Sequence, residues 1–326
     1  MTTGAGDGRD DPARAIRVVL LNWNERDQTG RCLDAVAAST GIEADVLVVD
    51  NGSVDDDAGH FRARLGPDRI LAVPENRGYA GGMNAGLAFW REVGGDVPIL
   101  VLTPDAIVHP STLRLLLDEM EATGDAGVVG PLVIYSREAG LASAGGTVDP
   151  QRVRATPVPE PLADVPYDTD WVDGCCMLIR PAALDAVVPA FDERFFAYFE
   201  ETDFAGRIRA AGWLVRVVPG AVVDHPKSVG TLPPHYFYYM VRNRYLFWQK
   251  NFGVGMPRVA VDIAWATIRS WASAARALVI PARRHELAGR LRDARLQLRA
   301  AWAGTRDHLR GRYGPMPAAT MPPPAG

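Results

Sequence analysis

The stretch FFAYFEETDF, residues 195–204, sets Glu200, Glu201 and Asp203 hard against Phe195, Phe196, Tyr198, Phe199 and Phe204. Carboxylates are solvated at little cost on an ordinary surface. Acids placed among groups that exclude water therefore invite a chemical explanation. A carboxylate within about 3 Å of a hydroxyl can take its proton, and such a base contributes roughly 10²–10⁴-fold to a rate. The run reads as the first turn of a helix, whose N-terminus favours anions by about 0.3–1 kcal/mol each. Asp203 and Arg207 stand four residues apart and can simply pair. The aromatics can be pocket walls, core, or some of each.

Further polar groups fall at the ends of apolar runs. VDNGS ends one run with Asp50, Asn51, Gly52 and Ser53; PENRGYAGG follows another with Asn76, Arg77, Gly78, Gly81 and Gly82; LTPDA ends a third with Asp105. Glycines ahead of a helix let backbone N–H groups approach an anion. A carboxylate such as Asp50 can accept from a base N–H or a ribose hydroxyl. Asp105 is a hard oxygen ligand suited to Mg²⁺ or Mn²⁺ bridging a diphosphate. Alone, each has an ordinary reading: DNGS is a common turn, GYAGG can be plain helix initiation, and a single Asp after a strand often caps. Three such features at three successive strand ends point to one binding edge, because ligands of open α/β sheets sit at the strands' carboxyl ends. GYAGG does not fit the G-x-G-x-x-G dinucleotide fingerprint, which argues against a dehydrogenase.

The elements that must hold these groups alternate. IRVVLL (16–21), DVLVVD (45–50), RILAV (69–73) and PILVL (98–102) read as buried parallel strands. Helical patterns lie between them. Asn24 with Asp27 resembles a cap pair, Met83, Leu87 and Trp90 share one face, and Ser111 is a candidate cap. After residue 125 the order changes. GVVGPLVIY and WVDGCCMLI read as strands separated by a Pro-rich loop at 155–166, and RPAALDAV and ETDFAGRIRAAG read as helices. WLVRVVPGAVVDH reads as a hairpin or paired strands, and HYFYYMVRNRYLFWQKN as a helix. From Met256 the pattern is an Ala/Arg-rich amphipathic helix, either packed on the core or lying on a membrane.

Net charge is −4, so the whole chain carries no nucleic-acid signature. The charge is uneven: residues 281–326 hold nine Arg and three acidic residues. A basic tail on an acidic body fits an anionic surface such as a membrane face, or a solvated helix face. Three cysteines, Cys32, Cys175 and Cys176, match neither a disulfide framework nor a metal spacing and imply a reducing, cytoplasmic compartment. MTTGAGDGRDDPARA lacks the apolar core of a signal peptide, and no apolar run is long enough to span a bilayer.

VVLLNWN, VLVVDNGSVDD, PENRGYAGGMNAGL, VLTPDA, WVDGCCMLIRPAAL, FDERFFAYFEETDFAGRIRAAGW and DHPKSVG occur in that order. Together they resemble the family 2 inverting glycosyltransferases of GT-A fold, in the rhamnosyltransferase-like and galactofuranosyltransferase-like branch. The resemblance implies an α/β fold: a Rossmann-like wound mixed sheet flanked by helices, with a C-terminal helical extension. It implies a disordered lead-in at 1–14 and a GT-A domain at 15–252, divided into a nucleotide-sugar half (15–125) and an acceptor half (126–252). A helical extension at 253–314, able to meet a membrane, and a disordered tail at 315–326 complete the chain.

The resemblance also assigns residues. Asp50 resembles the holder of the pyrimidine base, and Asn22, Asn76, Gly78 and Thr103 line the nucleotide-sugar site. Asp105 matches the last carboxylate of the D-x-D metal motif, and His225 a histidine that completes the metal site. Thr103 departs from the family's Asp or Asn. Glu201 occupies the place of the base, one methylene longer than the usual Asp, with Glu200 as second choice. Trp171 and Asp173 fall on the acceptor side. Arg242 or Arg244 reaches the diphosphate or covers the sheet. The implied reaction is a single displacement of a sugar, rhamnose by branch, from a dTDP- or UDP-sugar to a lipid-linked or glycan acceptor in cell-wall polysaccharide synthesis. It uses Mg²⁺ or Mn²⁺, at the inner face of the plasma membrane. A nucleotidyltransferase, or a non-catalytic nucleotide- or carbohydrate-binding scaffold, is the alternative. The oligomeric state stays open.

Overall fold

The computed structural model describes residues 14–135, 140–226, 233–279 and 287–317. Most of both expected disordered ends, and residues 227–230 of DHPKSVG, lie outside them. The chain begins β1 (Ala15–Asn22), α1 (Arg26–Ala37), β2 (Glu43–Asp50), α2 (Asp57–Leu65), β3 (Ile70–Ala72), α3 (Gly78–Val93) and β4 (Ile99–Leu102). β1 runs parallel to β2 and β4, and β2 parallel to β3, as the four apolar runs predict. Alternate residues of β1 serve opposite faces. Ile16, Val18 and Leu20 pack with Cys32, Phe61 and Leu113, while Val19 and Leu21 pack with Met83, Leu87 and Trp90. Both faces are covered, so the strand needs no polar side. Each buried Val, Leu or Ile contributes roughly 1.5–3 kcal/mol.

The chain continues through β5 (Ile107–Val108), α4 (Thr112–Ala122), β6 (Ala126–Tyr135), β7 (Gly140–Ser143), β8 (Gly146–Asp149), β9 (Arg154–Pro157) and β10 (Tyr167–Asp168). Then come β11 (Cys176–Ile179), α5 (Pro181–Ala186), α6 (Glu200–Ala210), β12 (Leu214–His225) and α7 (Pro234–Phe252). The main sheet has the order β10–β12–β6–β11–β4–β1–β2–β3, with β5 also on β12 and β7 on β6. β11 is antiparallel to both β4 and β6, which makes the sheet mixed.

Several local expectations change. WLVRVVPGAVVDH is one strand rather than a hairpin. β12 follows β6 throughout, with a register break between Val218 and Val222. Pro219, in that break, has no N–H for a ladder, so the irregularity absorbs it. In WVDGCCMLI only the last four residues form a strand, because Gly174 and Cys175 make a turn. Neither Asn24 nor Ser111 caps its helix through a side chain. Asn24 instead accepts from Val54 N at 2.8 Å, tying the end of β1 to the turn after β2.

Two further helices, α8 (Met256–Val279) and α9 (Leu287–Leu309), pack with α7. Their core includes Phe195, Phe199, Phe247, Trp248, Val259, Ile263 and Leu296. Phe195 and Phe199 flank the acidic run, so the C-terminal helices rest directly on the segment that carries it. Among the described residues no helix is long and apolar enough to cross a membrane.

Candidate active site

The register that aligns Asn22 with Asp50 puts both side chains at the carboxyl edge of the sheet. Asn22 is fully buried and donates to Asp50 Oδ1 (3.2 Å), Ser53 Oγ (3.1 Å) and Asp57 Oδ2 (3.0 Å), and accepts from Thr29 Oγ1 (2.7 Å). Its four partners leave it no free polar atom, so it orients Asp50 rather than facing a ligand. Arg26 pairs with Asp57 from the rim at 2.8 Å. A cavity of about 310 Å³ lies beside this cluster, lined by Asn24, Glu25, Arg26, Asp27, Asp55 and Asp57. Asp57 escaped the sequence reading because it lies in an ordinary acidic turn.

Asn51 is a second organiser that the sequence did not single out. Its amide donates to Asn76 Oδ1 (3.2 Å) and Gly78 O (3.0 Å), and its oxygen accepts from Arg77 N (3.1 Å). Asn76 in turn accepts from Gly78 N at 2.8 Å. The turn after β2 thus fixes the start of α3. Gly78 has φ +69°, and a Cβ there would stand 2.2 Å from Phe196 O. The nucleotide-side loop and the aromatic segment meet at this point, where Ala80 N also donates to Phe196 O at 3.2 Å. Gly78→Ala is expected to cost about 2–3 kcal/mol, from a left-handed penalty of ~1–2 kcal/mol plus displacement of Phe196. Denaturant titration checks it.

Asp105 follows β4, and His225 ends β12. The pairing of Asp224 with Ile107 brings them together. His109 to Asp224 (3.0 Å) and Thr112 Oγ1 to Val222 O (2.6 Å) brace that strand end. His225 Nε2 stands 3.2 Å from Asp105 Oδ2, and Thr103 donates its hydroxyl to Asp105 Oδ1 at 2.6 Å. Burial pushes the Asp105 carboxyl up, but the bonds and charge of His225 and the Thr103 hydroxyl outweigh it and leave it below its ordinary value. Burial likewise lowers His225, and Asp105 more than reverses that. Thr103 therefore orients the carboxylate through a neutral donor. One carboxylate and one imidazole give an O,N donor pair that fits Mn²⁺, with other positions left for diphosphate oxygens and water. Among the described residues no group of three His, Cys, Asp or Glu closes around one point.

The turn at Gly174 and Cys175 links this pair to the acidic run. Thr103 N donates to Cys175 O (3.0 Å), and Cys175 N donates to Asp173 Oδ1 (3.0 Å). A Cβ on Gly174 would lie 3.2 Å from Glu201 Cβ and 3.4 Å from Tyr79 Oη. Tyr79, missed in the sequence, donates to Gly174 O at 2.6 Å and closes the group from α3. Burial pushes the Glu201 carboxyl up to about 7, with the Asp173 charge adding to it. Glu200 is driven well above its ordinary range by burial and then by Glu201, and its Oε2 has no hydrogen-bond partner. Both shifts favour the protonated form of Glu200, and Glu201, raised to about 7, is the member of the pair placed to exchange a proton near neutral pH.

Asp203 belongs to the scaffold. It is fully buried and accepts from Arg207 Nε (2.9 Å), Lys250 Nζ (2.7 Å) and Asn251 Nδ2 (2.9 Å). Phe195, Phe199 and Phe204 are core, while Phe196 and Tyr198 stay half-buried. Besides Asn22, two more of the expected contacts are corrected. Trp171 is buried with its ring against Gly146, where a Cβ would come within 1.9 Å, so it packs instead of presenting a face to a sugar. Arg242 is fully buried and donates to the carbonyls of Phe195 (2.8 Å), Arg194 (3.1 Å) and Gly314 (2.6 Å). It is a strut, not a diphosphate contact. Arg244 pairs with Asp262 at 2.9 Å.

The strut has a reason. Phe196, Tyr198 and Phe199 all have left-handed backbones, with φ of 67°, 71° and 75°. Non-Gly residues persist there only when their surroundings over-determine them, at a cost of about 1–3 kcal/mol each. Asn243, beside Arg242 on α7, donates to the carbonyls of Phe195 (2.9 Å), Ala197 (2.7 Å) and Tyr198 (2.8 Å). This clamp sets the angle at which α6 begins, and with it the positions of Glu200 and Glu201.

Residues 17–188 match the sequence model of glycosyl transferase family 2, which is more than half of the chain. The chain belongs to glycosyl transferase family 2. This family 2 glycosyltransferase is 29% identical over 238 residues to an N-acetylglucosaminyl-diphospho-decaprenol L-rhamnosyltransferase of Mycobacterium tuberculosis, covering 66% of this chain and 77% of the relative. It is 30% identical over 127 residues to the succinoglycan biosynthesis protein ExoO of Rhizobium meliloti, covering 39% of this chain and 35% of that one. Among solved structures, the mannosyltransferase PcManGT of Pyrobaculum calidifontis, in complex with GDP-Man and Mn²⁺, superposes with a TM-score of 0.55 at 15% identity. That match covers 92% of this chain and 88% of the other. GalNAc-T7 with UDP, GalNAc and Mn²⁺ gives 0.54 at 14% identity, over 67% of this chain and 45% of that one. The fold is GT-A, as the sequence motifs predict.

Proposed function

We propose that this enzyme moves a sugar, rhamnose in our reading, from a nucleoside diphosphate to a hydroxyl of a lipid-linked acceptor, in one displacement that inverts the anomeric carbon. The observation that carries this is the placement of Glu201 against the Gly174 turn, which links it to the Asp105–His225 pair, with burial pushing its carboxyl up to about 7. Asp50, held by Asn22 and Ser53, receives the pyrimidine base of a dTDP- or UDP-sugar. Asn76 and the N–H groups opening α3 line the sugar diphosphate. Asp105 and His225 would hold Mn²⁺ or Mg²⁺, whose chemistry is to neutralise the charge that develops on the departing diphosphate.

Glu201 takes the acceptor proton. The acceptor oxygen bonds to the anomeric carbon as the bond to the diphosphate breaks, and the diphosphate leaves with that electron pair. Burial and the neighbouring Glu201 charge favour the protonated form of Glu200, which leaves Glu201 as the anion toward the hydroxyl. One base suffices, unlike the two opposed carboxyls of a glycosidase. The rhamnosyltransferase relative supports the sugar and the polyprenol-linked acceptor, and the Mn²⁺ in the two solved structures of the same fold supports the metal. This reading sets the enzyme in cell-wall polysaccharide synthesis at the inner face of the plasma membrane.

The test is transfer of labelled sugar from dTDP-rhamnose and from UDP-sugars to a polyprenyl-diphosphate N-acetylglucosamine, with the product's anomeric configuration read by NMR. Retention of configuration, or no transfer from any donor, overturns the proposal. Asp105→Ala is expected to lower transfer at least ~100-fold. It is also expected to abolish the extra thermal stabilisation that Mn²⁺ adds to a bound nucleoside diphosphate. A stabilisation equal to that of the native enzyme removes Asp105 from the metal site.

A further inference from the structure

α8 carries two apolar faces. Val259 and Ile263 are buried with α7 and α9. The opposite face is in solvent: Val261, Trp265 and Ile268 are 70%, 56% and 54% exposed, and Val279 is exposed with them. At 100° per residue these four fall within a sector of about 60°. Exposed Arg269 and Arg276 border one side of that stripe, and exposed Trp271 borders the other. The helix has one acidic residue, Asp262, and it is paired with Arg244 at 2.9 Å.

α9 repeats the design. Leu298, Trp302 and Leu309 are exposed on one line, bordered by Arg295, Arg299, Arg306 and Arg310. Arg306 lies over the Trp302 ring at 4.8 Å. An apolar stripe with tryptophans in solvent and arginines along its border is complementary to a lipid interface, where indole rings sit at headgroup level and guanidinium groups meet anionic lipid.

We propose that the exposed stripe of α8, continued on α9, lies in the headgroup layer of an anionic bilayer. The helices rest on the surface without crossing it, and the arginines select negatively charged lipid. This inference is independent of which donor or acceptor the enzyme uses.

The test is flotation of the full chain with vesicles of phosphatidylcholine alone and with vesicles containing phosphatidylglycerol, neither holding any acceptor. The native protein is expected to float with the anionic vesicles only. W265S/I268S is expected to weaken partitioning at least about tenfold, from loss of apolar burial. R269E/R276E is expected to weaken it by about 25-fold or more, since each arginine contributes roughly fivefold. Added salt should release the native protein and leave little further loss in the charge variant. All four side chains are exposed, so both variants should melt with the native protein and transfer sugar to a soluble acceptor analogue at the native rate. Absence of anionic preference, or flotation of both variants like the native protein, overturns the proposal. So does a dimer that W265S/I268S dissociates, which would show a second copy on the stripe.

Discussion

Glu201→Gln is expected to lower sugar transfer by about 10²–10⁴-fold while nucleoside diphosphate binding stays at the native level. The amide keeps the shape of the side chain but cannot accept the acceptor's proton. Transfer rate and isothermal binding, measured on the same preparation, separate this from a folding defect. Native transfer in the variant would remove Glu201 from the role of base and revive a non-catalytic reading. The same side chain gives two pH signatures. The native rate should climb with pH and level off above about 7, where the carboxylate is ionised. Stability should move the other way. Glu201 titrates higher in the folded chain than its ordinary 4.5, so the fold binds more protons than the unfolded chain between those values and weakens as pH rises through them. The substitution should therefore stabilise the protein at pH 8, by up to about 3 kcal/mol, and make no difference below pH ~4.5. Chemical denaturation at the two pH values reads this directly.

Asn243→Ala is expected to destabilise the protein by about 3–5 kcal/mol and to lower kcat about 100-fold with little change in donor affinity. The amide is buried, and its removal leaves the carbonyls of Ala197 and Tyr198 without a donor while the left-handed turn loses its clamp. Relaxation of that turn is expected to rotate the start of α6 and displace Glu201 from the acceptor, while Asn22 and Asp50 keep their places at the ends of β1 and β2. Nucleoside diphosphate binding at a temperature where the variant is folded is the readout. Asn243→Asp serves as a second variant: it keeps the volume but turns the two donors into acceptors facing carbonyls. An unchanged kcat in folded protein would show that the turn holds its shape unaided.

The nucleotide half was legible because its signals are local. Four β-branched apolar runs can only be buried strands, and polar groups at their carboxyl ends mark the binding edge wherever a sheet is open. Asp105 and His225 could be paired only through the family resemblance, since 120 residues and the β5–β12 register separate them. The clamp was illegible for a different reason. Nothing in FAYF asks for positive φ, because glycine or asparagine is the usual sign of it, and the side chains that enforce it come from α7. RNR looked like a charged patch with a free choice of partner, yet burial commits Arg242 to carbonyls. The resemblance sets Trp171 on the acceptor side with Asp173, but side-chain direction depends on which residue of the turn begins β11. The single long β12 was hidden by Pro219 and Gly220, which imitate a hairpin.

Arg242 donates to Gly314 O, and Tyr239 accepts from Met316 N at 2.7 Å. The last described residues are thus fastened to the same helix that fixes the angle of α6. A fragment that keeps both bonds must therefore run to Met316, well beyond Arg242 and far past Val188, where the family match stops. A gene trimmed to the family boundary would omit both Glu201 and His225. One cut just after α9 would keep Glu201 and His225 but take from Arg242 the Gly314 carbonyl, leaving it only those of Arg194 and Phe195.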